Sequence, residues 1–437
     1  MNVPPRFVPS ANVLAALCVL GAACSGQPEF DVVIAGGTVY NGTGQPDGVR
    51  RADVGLKSDR ITAIGDLSGR RARVVIDASG KAVAPGFIDA RGQSGITLLA
   101  DGYGESHLRQ GITTEIIGDN SPVFWTMRTA DTAALQPYGI AFDWNGPAGY
   151  FQKLESRGTA INVGTLVPVS LARAEGTGAA FVDSAMRAGA FGVCGDGADV
   201  ADLTVLAGVA GQHGGLLLST LKGGAAPADG AAEILALATQ ARTPVVLSDL
   251  MLLNPPDANT LSQVLVRLSA AATRGLRAFG TVAPYAAMAG GSDAPAREAL
   301  RYGSVAIGTN SAAVTAASAP ATTNPAAFGA FPRLLGQWAR EEHVLDLREA
   351  VRRVTSLPAN IFRIPQRGII RENFFADVVV FDPAAVRDRA SYEKPNEYPA
   401  GIQYVIVNGV ITLTTQGLTG SRAGHRLLGP AARTPGT

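Results

Sequence analysis

The chain has 437 residues, 46% of them hydrophobic, enough for one large domain or a large domain beside a small one. A net charge of +1 with only 17% charged residues excludes a basic face for nucleic acid and an acidic tail. The 52 glycines and 26 prolines are spread along the chain and read as turns between many short elements, not as low complexity.

At the N-terminus Arg6 supplies a small positive region, followed by an apolar run over residues 13–23. At about 11 residues this run falls short of the roughly 20 that a membrane-spanning helix needs, and it fits the core of an export signal. It ends Leu20-Gly21-Ala22-Ala23-Cys24 before a polar Ser25-Gly26-Gln27 linker. Small residues before a cysteine resemble the lipobox of bacterial lipoproteins, with Cys24 as the lipidated residue. The other reading is ordinary cleavage after an Ala-x-Ala-like site, with Cys24 incidental. Either way residues 1–24 are expected to direct export, to the periplasm or to a membrane held only through a lipid anchor. Cys18 would leave with the signal and Cys24 would carry lipid, leaving Cys194 and no disulfide framework.

From residue 31 the chain alternates in short strands over 31–40, 51–57, 60–65 and 73–78, separated by Gly, Asp and Ser, as hairpins of a small sheet require. A second β-rich group occupies 376–383 and 404–412. Two such blocks at opposite ends of a chain can form one sandwich that closes over the middle. The middle carries eight apolar strand candidates, at 83–89, 111–117, 162–167, 190–194, 216–219, 244–248, 277–282 and 305–308. Helix-like stretches at 182–188, 201–213 and 231–241 lie between several of them. Strands alternating with helices predict a parallel sheet, and eight units predict an α/β fold of the (β/α)8 barrel type. The expected division is 25–81 as one half of the sandwich, 82–365 as the barrel, and 366–437 as the other half with a tail.

Here the residues carry a resemblance. Ala84-Pro85-Gly86-Phe87-Ile88-Asp89 is similar to the opening of the first barrel strand in amidohydrolases. Gln110-Gly111-Ile112-Thr113-Thr114-Glu115 resembles the second strand of the N-acyl-D-amino-acid deacylase (D-aminoacylase) family. Gly329-Ala330-Phe331-Pro332-Arg333, Arg367-Gly368, Val407-Asn408-Gly409 and Thr419-Gly420-Ser421-Arg422 continue it. The resemblance covers nearly all of residues 30–430 and is most specific in the last third. It implies a metal-bearing barrel beside a small β-sandwich, hydrolysing the amide of N-acylated D-amino acids. In that family a metal activates water and an Asp after the eighth strand moves the proton, at the C-terminal ends of the strands.

Against the pattern that the resemblance implies, the site positions are altered. Where the family has Asp-x-His-x-His, this chain has Asp89-Ala90-Arg91-Gly92-Gln93. Arg91 carries a permanent charge and no lone pair for a metal. The ligand after the second strand falls at Gly118-Asp119-Asn120, where Asp119 keeps a donor; a loop Asp capping backbone is the other reading. Two further histidine positions hold Thr220 and Asp249, and the catalytic Asp position holds Asn310, a neutral amide that cannot act as a base. The histidines present, His107, His213, His343 and His425, are read as surface or structural residues.

On this reading no cofactor is expected, zinc entering only if the site is misread. The main reading is a catalytically inactive, envelope-located binding or scaffold protein on the amidohydrolase fold. Its expected ligand is a small carboxylate or acyl amino acid, met by Arg91, Asp249, Tyr285 and Arg333. The alternative is a divergent hydrolase of N-acyl-D-amino acids or related compounds, metal-free or with an atypical metal site, using Asp249 or Asp119 as base and Arg91 as oxyanion stabiliser.

Overall fold

Alternating residues of the N-terminal strands bury one face, and the chain's other end supplies what covers it. In the computed structural model, which describes residues 27–118, 131–174, 178–195, 200–221, 227–250, 258–285, 290–320 and 322–433, strands Phe30–Ala35, Asp53–Lys57, Arg60–Gly65 and Ala72–Asp77 form a four-stranded sheet. A seven-stranded sheet takes Thr38–Tyr40, Val49–Arg51 and Ala82–Pro85 from the first part of the chain. From the last part it takes Val378–Phe381, Ile402–Val407, Val410–Thr414 and Gly417–Leu418. The two blocks meet where Ala82–Pro85 runs antiparallel to Val378–Phe381, with Ala84 opposite Val379. Ile34, Val54, Leu56, Ile76, Val83, Val378, Val380 and Ile406 fill the space between the sheets, burial that stabilises by about 1.5–3 kcal/mol per large side chain.

The middle of the chain supplies eight strands in parallel order: β1 (Phe87–Asp89), β2 (Ile112–Ile117), β3 (Asn162–Thr165, continued by Val167–Pro168), β4 (Gly192–Cys194), β5 (Leu216–Thr220), β6 (Val245–Ser248), β7 (Ala278–Val282) and β8 (Val305–Ile307). All eight fall on the expected runs. Their continuous hydrophobic character is what a parallel sheet covered on both faces requires. Alternation sorts the side chains: Ile88, Ile116, Leu216, Leu218, Val246 and Ala306 pack together on the inner face. Leu217, Val245, Leu247, Val305 and Ile307 join the larger outer core. That outer core includes the helices Gly178–Arg187, Val200–Gln212, Pro227–Gln240 and Ala258–Thr273. Single backbone bonds, not a ladder, join β1 to β8. Ala90 N–H donates to Ile307 O at 3.3 Å, and Asn310 N–H to Arg91 O at 2.8 Å. The fold is α/β, a TIM-type barrel with a small β-sandwich.

The expected strand 83–89 divides at Gly86, a correction with a local cause. Ala82–Pro85 belongs to the sandwich and Phe87–Asp89 to the barrel. Gly86 N–H turns to Asp377 O at 2.8 Å, and a Cβ there would lie 2.1 Å from Thr113 Oγ1, so only glycine fits the crossing.

A buried polar knot fastens barrel to sandwich at the opposite end from the site. Arg367 pairs with Asp377 and donates to Asn408 Oδ1 at 2.8 Å. Asn408 Nδ2 donates to Asn162 Oδ1 at 2.8 Å, at the start of β3. The Arg367-Gly368 and Val407-Asn408-Gly409 motifs therefore serve as scaffold. Cys194 is buried on β4, while residues 1–24, with Cys18 and Cys24, lie outside the described residues. Among the described residues no helix is long and apolar enough to cross a membrane.

Candidate active site

The C-terminal ends of the strands carry a network built from four of the anticipated positions. β1 stops at Asp89, so Arg91 and Gln93 lie beyond it instead of continuing its alternation. Arg91 Nη1 pairs with Asp249 Oδ2, both side chains about 4% exposed. Asn310 Nδ2 donates to the same Asp249 oxygen at 2.9 Å, and Gln93 Nε2 donates to Asn310 Oδ1 at 2.7 Å. Strands β1, β6 and β8 are thus tied across the mouth of the barrel. Asp249 (φ +51°) and Asn310 (φ +49°) both occupy the left-handed region. This costs on the order of 1–3 kcal/mol per residue and gathers at functional sites, though Asp and Asn tolerate it best among non-glycine residues. Thr220 ends β5, half-buried, opposite Ser248. Asp119 and Asn120 lie outside the described residues.

Tyr285 and Arg333 form a second constellation. Tyr285 Oη donates to Asp388 Oδ2 at 2.5 Å. Arg333 reaches Asp388 Oδ2 at 3.2 Å and Asp293 Oδ2 at 2.9 Å, its guanidinium 4.5 Å from the Tyr285 ring centroid. Burial, then the neighbouring Asp388 carboxylate, pushes the Tyr285 phenol well above its ordinary value, so it stays a hydrogen-bond donor. Both residues, expected to meet a ligand, are committed to carboxylates of the chain itself.

Beneath Arg91 lies a cluster that the sequence reading did not assemble. Asp89 on β1 and Glu115 on β2 are register partners, on the opposite face of their strands from Ile88 and Ile116. They meet His107 on the short helix Glu105–Leu108. All three side chains are fully buried, and one donor atom from each lies within 4.8 Å of the others. Asp89 Oδ1 accepts from the backbone N–H groups of Arg91 and Thr309, each at 3.0 Å, and Oδ2 from Thr309 Oγ1 at 2.6 Å. Glu115 Oε1 accepts from Ser94 N–H at 3.0 Å. Its Oε2 sits 3.2 Å from His107 Nδ1, within ion-pair distance but without the alignment of a hydrogen bond. Burial pushes the Asp89 carboxyl up to about 6, with Glu115 adding to the rise and His107 opposing it. Burial alone would lower the His107 imidazole, but the Glu115 and Asp89 carboxylates outweigh it and raise it.

This donor set fits a metal. One imidazole and two carboxylates are zinc ligands, and both His107 ring nitrogens and Glu115 Oε2 are buried without a hydrogen-bond partner among the described residues. Such atoms cost on the order of 1–3 kcal/mol each unless something meets them. A proton on His107 or a cation between the three groups would balance the two carboxylates. His107 is therefore not a surface residue: it is buried and one of three convergent donors. The signal that could have found it is Glu115, a charge in the fully buried strand Ile112–Ile117, which demands a partner. His213, by contrast, pairs with Asp183 at 2.7 Å and His343 is exposed.

Residues 263–413 match the amidohydrolase family. The chain is 30% identical to an N-acyl-D-glutamate deacylase of Alcaligenes xylosoxydans xylosoxydans, over 88% of this chain and 93% of that protein. It is 28% identical to a D-aminoacylase of the same organism, over 93% and 99%. The solved structure of an N-acyl-D-glutamate deacylase from Bordetella bronchiseptica, complexed with zinc and a phosphonate mimic of the tetrahedral intermediate, superposes with a TM-score of 0.80. It is 25% identical and covers 91% of this chain and 99% of its own. The expectation of no cofactor is overturned by two findings, a homologue that holds zinc and the convergence of Asp89, His107 and Glu115 on one point. The strand-end positions carry few donors and His107 reads as surface or structural in the sequence, whereas in the fold the donors stand one layer behind the strand ends. With that extent of likeness to the deacylase, over nearly its whole length, the chain belongs to the D-aminoacylase family of amidohydrolases.

Proposed function

We propose that the protein is a divergent hydrolase of the amide bond in N-acyl-D-amino acids or closely related compounds, working with an atypical metal site. The observation that carries this reading is the buried Asp89–His107–Glu115 donor set directly behind the strand ends. Those three residues would hold the ion. When bound with a coordination position open, such a metal supplies Lewis acidity and lowers the pKa of water.

The chain's own groups supply the rest. The Arg91 guanidinium is a fixed donor suited to a substrate carboxylate or to charge developing on the amide oxygen. Asp249 is the carboxylate of the described mouth network and takes the base role that Asn310 cannot. Asn310 and Gln93 orient it through their linked amides. Relatives acting on N-acyl-D-glutamate and D-amino acid derivatives support the substrate class. The Gly21-Ala22-Ala23-Cys24 ending supports a place at the bacterial envelope.

A second reading has its own observation. The Arg91–Asp249 pair ties up the carboxylate that would act as base, which favours a protein that binds an acyl amino acid without turning it over. One experiment separates the two: metal content of the purified protein, with hydrolysis of N-acetyl-D-glutamate followed before and after chelation. Turnover lost on chelation and abolished by Asp249→Asn supports the hydrolase. Ligand-induced thermal stabilisation with no turnover at stoichiometric metal supports the binding protein.

A further inference from the structure

At the end of the barrel opposite the candidate active site, a cavity of about 570 Å³ opens between the N-terminal ends of β6 and β7. Arg242, Arg274, Arg277 and Arg363 line it, and among the described residues no carboxylate does. In a chain whose net charge is only +1, four guanidinium groups around one cavity are a strong local concentration of charge. Elsewhere in the protein many arginines are matched to acids, as Arg352 and Arg353 are to Glu349.

Among the described residues their side chains hydrogen-bond to Asn360 and to the Gly214 carbonyl, and to no carboxylate. Arg277 Nη2 donates to Asn360 O at 2.7 Å. Burial, and after it the charge of Arg363, pulls the Arg277 guanidinium below its ordinary affinity for a proton. Among the described residues Arg363 reaches only a carbonyl, that of Gly214 at 3.3 Å. Arg242 follows the helix Pro227–Gln240 at φ +51°, where glycine is the usual residue. The backbone there thus carries a strained arginine that presents its charge at the cavity rim.

We propose that this cavity is a binding site for a multiply charged, phosphate-bearing anion. Guanidinium forks match phosphate oxygens in pairs and lose little hydration in doing so. An anion would relieve the repulsion between Arg277 and Arg363. The site is built at the N-terminal ends of the strands and shares no residue with the mouth network, so it stands or falls separately from the hydrolase reading.

Two sources carry this chemistry, a soluble phosphate compound or a phospholipid headgroup. The test titrates the whole protein with pyrophosphate by calorimetry. In parallel it measures cosedimentation with vesicles of phosphatidylglycerol in phosphatidylcholine, against phosphatidylcholine alone. The variant is Arg242→Gly with Arg274→Gln; the glycine suits the left-handed backbone, and both side chains are exposed, so folding is preserved. Pyrophosphate binding that weakens at least tenfold in the variant, and with added salt, supports a soluble anion. Cosedimentation that needs phosphatidylglycerol and is lost in the variant supports a lipid headgroup. Binding of neither probe, or binding that the variant leaves unchanged, overturns the proposal.

Discussion

Arg91 and Asp249, 158 residues apart in sequence, form a buried ion pair across the mouth of the barrel. Breaking such a pair from one side leaves a charge in low dielectric, which costs about 3–5 kcal/mol, whereas removing both charges can be nearly neutral. Arg91→Met should therefore destabilise strongly, because it leaves the buried Asp249 carboxylate with the Asn310 amide in place of a cation. Arg91→Met combined with Asp249→Ala should recover at least half of that loss. Urea denaturation of the two single variants and the double variant checks this; strictly additive losses would show that the pair is not coupled.

Bound metal should stabilise the protein through Asp89, His107 and Glu115. A ligand at a hundred times its dissociation constant adds about 2.7 kcal/mol, so chelation should lower the melting temperature by several degrees and zinc should restore it. His107→Gln should remove the response to zinc. A zinc-dependent shift that persists in this variant would place the ion elsewhere.

Gly92 is fixed by Glu115. A Cβ at residue 92 would lie 1.8 Å from Glu115 Oε1, in a space with no slack. Gly92→Ala should cost about 1–3 kcal/mol as overpacking and weaken zinc binding with it, because the carboxylate must leave Ser94 N–H. Chemical denaturation and zinc titration of the same variant test both halves. Unchanged stability with unchanged zinc affinity would contradict the packing.

Acid should loosen the second constellation. Burial works against the Asp293 carboxylate, but hydrogen bonds from Arg333 and Arg297 outweigh it and hold it below its ordinary value. A depressed carboxylate stabilises fully above its unfolded pKa and loses that contribution as pH falls through the folded one. Asp293→Asn should therefore lower the melting temperature at pH 6, and the difference should shrink only as pH falls below the ordinary Asp value of about 3.9. A difference independent of pH would show that Asp293 acts by shape alone.

The fold was legible because parallel barrel strands are buried on both faces: eight apolar runs between turn residues mark them without reference to partners. The break at Gly86 was not, since it depends on Thr113 and Asp377, contacts that no local pattern reveals. The network of Arg91, Gln93, Asp249 and Asn310 assembled at the positions a family pattern assigned, although β1 itself ends at Asp89. The metal-capable cluster was missed for a different reason. His107 lies on a helix too short to show periodicity, and Asp89 and Glu115 meet it only after β1 and β2 pair.

The strand Ala82–Pro85 finds its antiparallel partner, Val378–Phe381, about 300 residues later in the chain. Synthesis at about 5–20 residues per second leaves an interval on the order of 15–60 s in which that edge has no neighbour. Throughout it the inner faces of Val83 and Ile34 stay uncovered, a template for pairing with another chain. Productive folding of this protein thus hinges on the segment that begins at Val378, and truncation anywhere before that residue should yield an aggregating product instead of an isolated barrel.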